Sequence, residues 1–70
     1  MTHAEKLVLR QLEIKSPAHM DDFRRLGTEA EMFGALVALD ANDTVALMHG
    51  RRYRLIAPLT PEVSAEVWTN

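Results

Sequence analysis

The chain has 70 residues, 47% hydrophobic and 26% charged, with a formal net charge of −2 and no cysteine. That length admits one domain. The apolar content excludes intrinsic disorder, and the lack of cysteine excludes disulfides and thiolate zinc sites. A domain this short buries only about 60% of the surface its unfolded chain exposes, so a partner or a second copy of the chain would add stability. No apolar run approaches the roughly 18 residues of a membrane span. No basic patch followed by an apolar stretch opens the chain as a secretory leader would, and the expected compartment is the cytoplasm.

Thr2 and Glu5 form a capping box, in which each side chain satisfies a backbone N–H left unpaired at a helix start. The first helix is expected to run to about Ile14, with Ala4, Leu7, Val8, Leu12 and Ile14 as its apolar stripe and Leu9 off it. Ser16-Pro17 reads as a cap followed by a first helical residue. The second helix is expected over about 17–25, turning Met20 and Phe23 to the core, with Leu26 following and Gly27 as a left-handed stop. Thr28 and Glu31 form a second capping box. The third helix should run to about Asp40 and bury Met32, Leu36 and Leu39 at helical spacing.

Residues 44–48 and 52–56 read as two strands around a His49-Gly50 turn signal. A three-residue loop would pair Leu47 with Tyr53 and place Val45, Leu47, Tyr53 and Leu55 on one face. That register is preferred over a two-residue loop pairing Met48 with Arg51, because a buried face sets register. Pro58 breaks the second strand. Thr60-Pro61 starts a short helix to about Trp68, with Val63 and Val67 one turn apart and Trp68 expected to close the core.

Three short helices, a two-stranded hairpin and a short closing helix make an α+β chain; an all-helical bundle is the alternative architecture. Over residues 16–55 the pattern resembles small bacterial and phage winged helix-turn-helix DNA-binding regulators. The residues that carry this are the capped helix ending at Leu26-Gly27, the turn into a second capped helix, and "ALDANDTVALMHGRRYRLI", with Tyr53-Arg54-Leu55 resembling a returning wing strand. The resemblance implies that the third helix enters the DNA major groove and that the wing contacts an adjacent groove or the backbone. Those roles would fall on residues 28–39 and 49–54.

Charge is laid out in blocks that bear on these roles. Residues 28–48 hold four acids (Glu29, Glu31, Asp40, Asp43) and no basic residue, whereas residues 49–54 hold three arginines and no acid. His49, Arg51, Arg52 and Arg54 form a cationic wing, and arginine's planar fork suits phosphate. Arg24 and Arg25 at the end of the second helix, preceded by Lys15, could reach the backbone, and Thr28 is the one polar reader expected on the third helix. Its other outward positions, Glu31, Gly34, Ala35, Ala38 and Val37 or Phe33, are acidic, small or apolar, whereas base edges are read mainly by Arg, Lys, Asn, Gln, Ser and Thr. That face is expected to pack against a partner or a second copy, with Gly34 and Ala38 allowing close approach.

His19, Asp21 and Asp22 lie close in sequence, but metal binding needs three or four converging ligands, and neither a metal nor another cofactor is expected. Ser16, Ser64 and His3 lack the strand-turn-helix setting of an activated nucleophile, so no enzymatic activity is expected. Gly27, Gly34 and Gly50 are too far apart for a phosphate-cradling loop. Mixed charges on the first helix argue against membrane-surface binding. The expected function is a small DNA-binding transcriptional regulator that contacts double-stranded DNA mainly through its arginine wing. The alternative is a protein-interaction module, an inhibitor or adaptor, with a homodimer or a protein as partner.

Overall fold

The computed structural model describes residues 1–70. It contains helices α1 (His3–Ile14), α2 (Met20–Phe23), α3 (Glu29–Ala41) and α4 (Pro61–Val67), and strands β1 (Ala18–His19), β2 (Val45–Met48) and β3 (Arg52–Leu55). The strands form one antiparallel sheet in the order β1-β3-β2. The fold is therefore α+β, and the all-helical alternative is excluded.

Both sequence-predicted capping boxes form. Thr2 and Glu5 start α1, and Thr28 and Glu31 start α3, with side-chain and backbone partners exchanged reciprocally. Thr60 caps α4, with Pro61 as its first residue. The hairpin takes the three-residue loop. Val45 pairs with Leu55, Leu47 with Tyr53 and Met48 with Arg52, leaving His49, Gly50 and Arg51 to turn the chain. Gly50 has φ 79°, a conformation that a Cβ would strain.

Eleven residues are buried: Val8, Leu9 and Leu12 of α1, Ala18 of β1, Phe23 of α2, Met32, Ala35, Leu36 and Leu39 of α3, Val45 of β2 and Val67 of α4. Every element except β3 contributes one or more. Tyr53 of β3 packs against this core and meets Phe23 edge-on, with ring centroids 6.2 Å apart. No helix is long and apolar enough to cross a membrane.

Five expectations change. Ser16-Pro17 does not start the second helix. Residues 18–19 are claimed by strand pairing, Ala18 with Tyr53 and His19 with Arg52, and α2 begins after them with His19 as its cap. The sheet accordingly has three strands rather than two. Gly27 is not left-handed; its value is clearance, because a Cβ there would meet the Met32 methyl at 3.0 Å. Leu9 is fully buried and Ile14 is 70% exposed, since α1 packs on both α3 and α4 and so buries more than one stripe. Trp68 does not close the core. It is 51% exposed and lies over the Arg10 guanidinium at 5.6 Å, while its Nε1 donates to Glu13 at 2.9 Å.

Candidate nucleic-acid interface

The cations that sequence places in two separate stretches meet at the hairpin tip. β1 is hydrogen-bonded along β3, with His19 opposite Arg52, and the next residue, Met20, donates its N–H to the Arg51 carbonyl at 2.9 Å. This seam brings Lys15, His19 and Arg24 to the end of the sheet that carries Arg51 and Arg52. Strand alternation then divides the wing cations between two sides.

On one side, Lys15, Ser16, Pro17, His19 and Arg52 line a notch of about 370 Å³ that contains no acid and, apart from the Pro17 ring, no apolar side chain. His19 is oriented by α2: its Nδ1 accepts the Asp21 N–H at 3.0 Å, which leaves Nε2 to carry the ring proton. Asp22 accepts the His19 backbone N–H at 3.0 Å. The His19, Asp21 and Asp22 cluster is thus accounted for as a helix cap. The Ser16 hydroxyl oxygen accepts the Leu55 N–H at 3.1 Å and keeps its own proton to donate. Arg54 follows Arg52 on the same sheet face, and its Nη1 donates to the Leu55 carbonyl at 3.3 Å.

On the other side, a groove of about 270 Å³ runs between α3 and the hairpin. Met20, Phe33, Leu47 and Tyr53 supply its apolar lining, and Arg24, Arg51 and Glu29 its charges. Arg24 forms an ion pair with Asp21 at 3.3 Å, whereas Arg25, Arg51, Arg52 and Arg54 have no carboxylate partner. His49 and Arg25 are both exposed.

The α3 residues expected to face a ligand are used differently. Thr28 is spent on its cap: its hydroxyl accepts the Glu31 N–H at 3.1 Å and donates to the Glu31 carboxylate at 2.7 Å. The same Thr28 hydroxyl, followed by the Thr28 backbone N–H, holds the Glu31 carboxyl below the usual carboxylate range. Ala35 is buried, so it belongs to the core and not to the outer face expected for it. Gly34 and Ala38 are exposed as expected. Phe33 and Val37, the further outward candidates on this helix, are each more than half exposed, with Leu47 of β2 also 60% exposed. The two α3 residues were legible as i, i+4 neighbours opposite the buried stripe; Leu47 was not, because its pattern placed it inward.

Comparison with known protein families, characterised proteins and solved structures gave no match.

Proposed function

We propose that this chain is a winged helix whose cationic end binds double-stranded DNA through the phosphate backbone. The observation that carries this is the convergence of Lys15 and Arg24 with Arg51 and Arg52 at the hairpin tip, with Arg54 farther along the same strand. Three helices ahead of a turned hairpin support the winged-helix assignment. Cations on both sides of the wing allow it to meet phosphates on either wall of a groove. α3 has Glu29, Glu31 and Asp40, an outward apolar row and none of the Arg, Lys, Asn or Gln side chains that make bidentate base contacts. Binding is accordingly sequence-tolerant and salt-dependent, and regulation would proceed by occluding or marking DNA rather than by reading an operator through α3. The test is titration of random duplex at about 50 and 200 mM salt, where counterion release weakens binding steeply.

A second reading, a protein-interaction module, is favoured by the exposed row of Phe33, Val37 and Leu47. Under it, duplex does not bind even at low salt, and Ala38→Glu on the exposed face of α3 abolishes partner binding without unfolding the chain.

A further inference from the structure

The notch between β1 and β3 has the chemistry of a single-phosphate site, which the geometry points to as follows. Four of the five residues that line it carry donors: the Lys15 ammonium, the Arg52 guanidinium, the ring N–H of His19 and the Ser16 hydroxyl. They come from two parts of the chain more than thirty residues apart, joined by the His19–Arg52 strand pair. No carboxylate lines the notch, and neither Lys15 nor Arg52 has an ion-pair partner. Of the acids on α2, Asp22 accepts the His19 backbone N–H, and the Asp21 carboxylate lies 3.4 Å from His19 Nδ1, away from its Nε2, and 3.3 Å from Arg24. A tetrahedral oxyanion presents several acceptor oxygens at once, and a ring of donors with a net positive charge and no competing acid fits it. The floor is supported as well: Ser16 is tied to β3 through the Leu55 N–H, and His19 is held through its Nδ1.

The ligand chemistry is a phosphate group. In duplex DNA it would be one backbone phosphate seated at the edge of the wing; in solution it would be inorganic phosphate or a phosphomonoester. The duplex case rests on the DNA reading above, and the free-phosphate case does not.

The experiment is an amide NMR titration of the 70-residue chain with inorganic phosphate, against sodium chloride at matched ionic strength. The expected result is a saturable shift of the Lys15, Ser16, His19 and Arg52 amides with phosphate alone. Arg52→Ala and Lys15→Gln, both at exposed positions, should each weaken it about tenfold or more. Shifts that follow chloride equally, or that map to the Arg24 and Arg51 side, overturn the site. In the duplex arm, Lys15→Gln should reduce the salt slope by about one phosphate. An unchanged slope, with duplex still bound, overturns a DNA phosphate in the notch and leaves the DNA reading standing. Retained phosphate shifts with no duplex binding support the site and assign it to a free phosphate instead.

Discussion

Leu9 and Ile14 lie on the same helix, and their expected and observed environments are exchanged, so substituting each tests the packing of α1 directly. Leu9 is fully buried in the core cluster, whereas Ile14 is 70% exposed at the helix end. Leu9→Ala removes buried methyl groups and leaves a cavity, which costs about 2.7–5 kcal/mol in well-packed cores. A chain of this length has on the order of 3.5–10 kcal/mol of total stability, so the variant would lose a large share of it. Each kcal/mol moves the midpoint of a small domain by roughly 4–8 °C, so a fall of at least about 10 °C is expected. Ile14→Ala should stay within about 0.5 kcal/mol of the parent, because it removes little packing. Thermal unfolding followed by far-ultraviolet circular dichroism reads both. A parent-like midpoint for Leu9→Ala, or a larger loss for Ile14→Ala, would refute the assigned orientation of α1.

Other outcomes follow from local geometry. The Glu13 carboxylate accepts from Ser64 Oγ at 3.0 Å and from Trp68 Nε1 at 2.9 Å, linking α1 to α4. Glu13→Ala should cost about 1 kcal/mol and shift the emission of the single tryptophan, read by denaturant titration with fluorescence; unchanged emission would deny the contact. Gly34 has open space where a Cβ would stand, so Gly34→Ala should stabilise α3 by about 0.5–1 kcal/mol. Gly50 sits at φ 79°, so Gly50→Ala should destabilise by about 1 kcal/mol, and calorimetric midpoints should move in opposite directions for the two changes. Glu5 is held below its ordinary value of 4.5 chiefly by the Thr2 backbone N–H, and Glu31 by the Thr28 hydroxyl. Because folding lowers these pKa values, their stabilisation is present above the unfolded value and is lost as pH falls through the lower folded one. The midpoint difference between parent and Glu5→Gln should therefore be larger at about pH 7 than at about pH 2.5. An equal difference at both would show that the carboxylate charge contributes nothing to the cap.

The features legible in the sequence are those set by neighbours along the chain. Thr2 with Glu5 and Thr28 with Glu31 act within one helical turn, so their spacing alone announces the caps. The hairpin register was legible because Val45, Tyr53 and Leu55 have to face one way. β1 was not legible: it has two residues, and what makes Ala18 and His19 a strand is β3, more than thirty residues later. That same pairing displaced the start of the second helix. Leu9 and Trp68 were misjudged because α4 packs against α1 from a side that helical periodicity does not reveal. Arg51 and Arg52 stood out in sequence, but their meeting with Lys15, His19 and Arg24 depends on the β1–β3 seam. Ala35 was read as outward because the buried stripe of α3 is wider than Met32, Leu36 and Leu39 indicate.

Equilibrium titration of the parent chain and of the Arg51→Ala/Arg52→Ala variant with random duplex, at about 50 and 200 mM salt, tests the central claim most directly. If Lys15, Arg24, Arg25, Arg51, Arg52 and Arg54 each neutralise a phosphate, the parent's logarithmic salt slope is about −5, a loss of roughly a thousandfold in affinity between the two conditions. The variant, with two contacts fewer, should bind more weakly to every sequence, with a slope reduced to about −3.6. Absence of binding by the parent at about 50 mM, or an unchanged slope in the variant, would contradict a cationic DNA interface at the hairpin tip.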